Sequence, residues 1–280
     1  MAKYIGTYAT SGDVQTALDN QELSRPFIAY TTDNEDVIFG SAADRAEVGD
    51  IVVYSVADDL LHYIKQADYS ASTYPVADYV PVGVVAMPQA DDAILGPTGE
   101  ITFMGLNYLD ASRPDTGVMT SIIITWGYNK FDIPELTNYS NSGTAITDMN
   151  GKVNTQAILQ YATAQTDWRT ASAITTTNEA GYYPVFECAW RYHTSGTIQG
   201  DWYIPATGQQ HKINFEKISD SLALIGRARI AGNTLFFSST ENSNSNCWGI
   251  DPSTVNIRTT PKNGGAGRAM PYCSKLMTRI

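Results

Sequence analysis

DIVVYSV at 50–56, LLHYIKQ at 60–66 and YVPVGVVAM at 79–87 are three short runs of β-branched and aromatic residues separated by Asp, Ser and Pro. Runs of this kind, parted by turn formers at intervals of roughly ten residues, predict the strands of an all-β or α+β region. ITFMGL at 101–106 and VMTSIIITWG at 118–127 continue the pattern. Three consecutive isoleucines, Ile122, Ile123 and Ile124, predict that the last of these strands is covered on both faces.

Downstream the period changes from two to that of a helix. NTQAILQYATAQTDW carries Ala157, Ile158, Tyr161 and Ala162 at helical spacing behind Asn154, which predicts a helix capped by that Asn. A second helix is expected over 184–193, with Pro184 in its first turn and Val185, Phe186, Ala189, Trp190 and His193 on overlapping faces. A third runs over 215–225, where Ile218, Leu222 and Ile225 stack and Gly226 stops the helix. Strands return at 234–240, 247–251, 254–260 and 268–276, with Asn-, Ser- and Gly-rich loops between them.

Upstream, residues 11–23 read as a short helix with Ser11 as N-cap and Val14, Ala17 and Leu18 on one face. PFIAYT at 26–31 and DVIFG at 36–40 form a hairpin around Thr32 to Glu35. A piece this small buries little alone and is expected to lean on something else. The expected class is therefore α+β, with a helix-plus-hairpin segment at 1–45 ahead of a larger domain at 46–280. That domain has a β-rich opening at 46–137 and a helix-containing, loop-presenting part at 138–280.

The chain has 280 residues, 43% hydrophobic and 11% aromatic, enough for a sizeable core without metals. Its formal charge of -11 and pI near 4.6 repel phosphate backbones, so no nucleic-acid partner is expected. No apolar run reaches membrane-span length, since the densest, around 80–87, is broken by Pro81, Gly83 and Pro88; no membrane insertion is expected. MAKYIGTYATSGD lacks the apolar segment of a signal peptide, and the mature chain is expected to begin where translation does. Cys188, Cys247 and Cys273 are too few for a disulfide scaffold and read as reduced, buried thiols.

Motifs for chemistry are sparse. His62, His193 and His211 fall in different elements with no second His or Cys at metal-ligand spacing, so no metal and no cofactor is expected. NGGAGR at 263–268 lacks the ending of a phosphate-binding loop and reads as a flexible hairpin or loop. No G-x-S-x-G elbow occurs, and the Asp-rich pairs 58–59 and 91–92 read as solvated turns. The most distinctive segment is STENSNSNCWGID at 239–251, where Glu241, Asn242, Asn244 and Asn246 crowd ahead of Trp248. Amide side chains that both donate and accept, beside a flat aromatic face, suit a ligand-reading loop; a solvated loop before a buried strand Trp fits the same residues.

GKVNTQAIL at 151–159, CAWRYH at 188–193, GDWYIPATGQ at 200–209, ALIG at 223–226, FFSSTE at 236–241, CWGID at 247–251 and a terminal RAMPYC together resemble the C-type-lectin-like domain of the Lcl C-terminal type. That family is itself similar to the variable proteins of diversity-generating retroelements and, more distantly, to formylglycine-generating enzymes. GDIVVY at 49–54, PVGVVAMP at 81–88 and MGLNYLD at 104–110 resemble the opening strands of the same module in phage proteins. The resemblance implies an α+β unit of small antiparallel sheets and two to three helices that presents loops from a rigid scaffold. The calcium-ligand triplets of animal lectins are absent, and the Cys pair of the formylglycine-generating enzymes is not matched by Cys247 and Cys273.

The first forty residues resemble a leader on virion proteins of crAss-like and other phages of gut Bacteroidales. The resemblance implies a virion attachment segment, with Tyr4, Ile5, Tyr8, Val14, Leu18, Phe27 and Tyr30 as contacts to other virion proteins. The expected function is that of a structural virion protein, an accessory head fibre or decoration subunit that closes as a homodimer or homotrimer, and not an enzyme. The alternative is a tail receptor-binding adhesin for a host surface glycan or protein, read by Glu241, Asn242, Asn244, Asn246, Trp248 and Arg268.

Overall fold

The computed structural model describes the backbone of residues 3–8, 27–31 and 37–39. From residue 45 onward it describes all of the chain except 89, 93–95, 99, 129–131, 166–181, 231, 233 and 264–266. The first three strands, β1 (Lys3–Tyr8), β2 (Phe27–Thr31) and β3 (Val37–Phe39), form a sheet of their own. β2 and β3 make the expected hairpin, with Ala29 opposite Ile38, while β1 adds in parallel to β2 with Tyr4 opposite Ile28. Tyr4, Ile5 and Tyr8 lie on β1 and Phe27 and Tyr30 on β2. The helix expected over 11–23, with Val14 and Leu18, lies outside the described residues.

The body is built on a mixed sheet of seven strands. β4 (Ile51–Ser55), β5 (Leu60–Ile64), β6 (Tyr79–Met87) and β9 (Ile101–Gly105) come from the runs at 50–56, 60–66, 79–87 and 101–106. β7 (Ala90–Asp92) and β8 (Gly96–Thr98) form a separate hairpin between β6 and β9. β10 (Trp202–Tyr203), β15 (Tyr272–Lys275) and β16 (Thr278–Arg279) arrive from far downstream and complete the order β10-β15-β9-β6-β4-β5-β16. The expected division at 137 is therefore not a division of the sheet, and the sheet is larger than the small antiparallel sheets the resemblance implies. Its edge pair, β16 with β5, is parallel, with Thr278 opposite His62.

Alternation along these strands sends neighbouring side chains to opposite faces. Phe103 and Cys273 join one cluster with Val52, Tyr63 and Val85; Met104 and Tyr272 join the other with Val84 and Ala86. The first cluster is closed by helices α2 (Gly151–Thr163) and α3 (Pro184–Arg191), which follow the short α1 (Ser142–Ala145) and contribute Ile158, Val185, Phe186 and Ala189. After α4 (Thr207–His211), helix α5 (Phe215–Leu224) closes the second with Phe215, Ile218 and Leu222. The class is α+β. A four-stranded sheet, β13-β12-β11-β14, is built from β11 (Leu235–Glu241), β12 (Asn246–Asp251), β13 (Asn256–Pro261) and β14 (Gly267–Arg268).

Two local expectations are corrected. Residues 118–127 are not a strand: Val118 bridges Tyr108, Ile124 donates to the Gly267 carbonyl at 3.1 Å and Gly127 to that of Lys262 at 3.0 Å. The backbone bonds go to three separate segments and no ladder forms, which leaves Ile123 60% exposed. Asn154 is not a cap. α2 starts three residues earlier, because the Gln209 side chain from α4 accepts the Gly151 N–H at 3.1 Å and replaces a local cap. The Asn154 amide instead donates to Asp148 at 2.8 Å.

Candidate binding site

The loop singled out in the sequence is largely turned inward. Glu241 is buried in β11 and paired with the buried Lys262, and Trp248 is buried in β12 with its indole N–H donated to the Tyr139 carbonyl at 2.8 Å. The Asn242 amide donates to the same carbonyl at 2.9 Å. Asn246 is half-buried and closes the turn by accepting the Asn242 and Ser243 N–H groups; Asn244 alone of the six is exposed. Arg268 is half-buried in β14. Glu241 and Trp248 are thus parts of the interior, because β12 is the inner neighbour of both β11 and β13 and its apolar side chains face the core.

A more open surface forms where α2 meets α3. Val185, Phe186 and Ala189 turn into the core, and the next position, Trp190, is rotated about 100° away from Ala189 by the helical period. Trp190 is 45% exposed, against the expectation that it shares the apolar face. Its indole lies beside Gly200, whose φ of +93° and lack of a Cβ admit the ring edge; an added Cβ would stand 3.3 Å from Nε1. The Gly200 N–H also donates to the Trp190 carbonyl at 2.8 Å, so the ring is held where it projects.

Trp190 separates two hollows of about 860 Å³ and 200 Å³. The α2 residues Lys152, Gln156, Leu159, Gln160 and Thr163 recur every three or four positions and form one wall across both. The larger hollow holds a charged group. Arg191 Nε donates to Asp115 Oδ1 at 2.8 Å and approaches the buried Glu187 at 4.0 Å, and the Asp115 carbonyl accepts the His193 N–H at 3.0 Å. The Arg191 hydrogen bond holds the Asp115 carboxyl below its ordinary value. Ile198, 71% exposed, and Gln199 complete the rim.

None of the six residues expected to read a ligand lines either hollow. Among the described residues no group of three His, Cys, Asp or Glu is placed to hold a metal, and no helix is long and apolar enough to cross a membrane. All three thiols are free and buried, and desolvation pushes each well above its ordinary range. The chain matches no family model, no curated protein and no solved structure.

Proposed function

We propose that the chain is a structural protein of a tailed-phage virion, an accessory head fibre or decoration subunit anchored by residues 1–45 and displaying residues 46–280. The observation that carries this reading is the separation of hydrogen bonding. Among the described residues, β1, β2 and β3 pair with one another in a sheet separate from the seven-stranded sheet. A sheet of three strands as short as these gains stability from a neighbour, here another virion protein. The charge of -11 keeps a many-copy displayed subunit soluble. In this reading the chain acts as a symmetric homodimer or homotrimer and carries out no catalysis. Deletion of residues 1–45 is expected to leave the remainder folded by circular dichroism and absent from purified particles; normal incorporation of the deleted form overturns the reading.

A second reading, a receptor-binding adhesin at the tail, is favoured by the surface around Trp190. An exposed indole face flanked by Gln156, Gln160 and Gln199 supplies a stacking surface with donors and acceptors on either side, the chemistry that suits a glycan. Glycan-array binding lost in Trp190→Ala at unchanged melting temperature supports this reading. Binding retained in Trp190→Ala and lost in Asn244→Ala returns the contact to the loop first expected.

A further inference from the structure

Beneath the 242–246 turn, at the end of the β11-β12-β13 sheet, lies a fully buried pair of opposite charges. Lys262, the residue after β13, and Glu241, the last of β11, both have side chains with no solvent exposure, and Nζ lies against Oε1. The Trp126 ring covers the amine, with its centroid 5.0 Å from Nζ, and is itself fixed by an indole N–H donated to the Ser238 carbonyl at 2.7 Å. The other Glu241 oxygen, Oε2, accepts the Ile133 backbone N–H at 3.4 Å. Backbone bonds hold both partners in place. The Glu241 carbonyl accepts from Tyr139, the Lys262 N–H donates to Ser245, and the Lys262 carbonyl accepts from Gly127, all within 3.0 to 3.1 Å.

We propose that Lys262 and Glu241 condense into an intramolecular amide, a covalent bridge between the end of β11 and the end of β13. Proton transfer from the ammonium to Oε1 within the pair gives a neutral amine and a carboxylic acid without changing the net charge. The Nζ lone pair then attacks Cδ, and negative charge develops on Oε2 where the Ile133 N–H already points. Oε1 departs as water with one proton from nitrogen. The Nζ–Cδ bond forms, the Cδ–Oε1 bond breaks, and neither oxidant nor cofactor enters. Two groups held in contact react at effective concentrations far above those in solution, and a dry site disfavours the return reaction. Burial also pushes the Lys262 amine down to about 7, against the opposing Asp132 carboxylate. The proposal does not depend on the virion reading.

The test is the intact mass of the purified full-length chain, followed by tryptic mapping. The expected mass is lower than that of the sequence by one water. The expected map has residues 230–258 joined to 259–268 as one branched peptide, since an acylated Lys262 is not cleaved. Lys262→Arg restores the full mass. Cyclisation at Asn263–Gly264 is distinguished because it releases ammonia and persists in Lys262→Arg. If that variant does not fold, the branched peptide of the unaltered chain decides alone. An unaltered chain of full mass, yielding linear 259–262, overturns the proposal and leaves a plain ion pair.

Discussion

Gly208 lies where α4 crosses the backbone of residues 146–148. Its N–H donates to the Asp148 carbonyl at 2.9 Å, and an added Cβ would come within 2.3 Å of the Ile146 oxygen and 2.5 Å of the Asp148 oxygen. Backbone cannot step aside as a side-chain tip does, so Gly208→Ala is expected to lose about 1–3 kcal/mol by urea denaturation, the usual result of overpacking. Asp115 gives a test of the charged group at the larger hollow. Because the Arg191 bond lowers its folded pKa below 3.8, the interaction stabilises the fold above the unfolded value and is lost as pH falls through the lowered folded value. A carboxyl NMR titration is expected to show a midpoint below 3.8 that moves up toward it in Arg191→Met. No upward movement would mean that the Arg191 contact is absent in solution. Asp115 is about half exposed, so its effect on stability is small and screened by salt.

At the scale of elements, β16 is the least protected piece of the sheet. It contributes two exposed residues, a Thr278 hydroxyl bonded to His62 Nδ1 at 3.0 Å and an Arg279 contact to Asp68 at 2.9 Å. Removing residues 278–280 turns β5 into an edge strand, and amide exchange at 60–64 is expected to accelerate relative to 51–55; unchanged exchange would show that β16 adds no protection. β16 was not legible in the sequence, since two polar residues carry no period. The strands 51–55, 60–64, 79–87 and 101–105 and the helices 184–191 and 215–224 were legible, because each has enough apolar residues at one period to fix its exposed and buried sides. Residues 118–127 misled because an isoleucine-rich run fits a ladder and a single extended chain equally well, and only distant partners decide between them. The binding surface was hidden for a related reason. Trp190 sits one position from the buried stripe of α3, and its exposure depends on Gly200, ten residues on, and on α2. The loop at 241–248 drew attention through composition alone, while its hydrogen bonds point inward to Tyr139.

For the whole molecule, the two large apolar clusters on either face of the seven-stranded sheet draw, among the described residues, on side chains from Ala46 to Met277. A fragment of residues 46–280 is therefore expected to unfold in one cooperative transition at the same temperature as the intact chain, monitored by near-ultraviolet circular dichroism. A lowered or broadened transition would place part of the core in the first 45 residues.

The position of β15 has a consequence for how the chain is made. Residues 272–275 sit between β9 and β10 in the interior of the sheet, yet they leave the ribosome long after β9 (Ile101–Gly105). Until they emerge, β9 lacks the partner for one of its edges, and β10 lacks its strand neighbour. Nascent chains must wait with a central slot vacant, and such late, long-range closure is slow. A chain cut before Tyr272 would therefore lose the strand that joins β9 to β10, with far worse effects than a shortened tail.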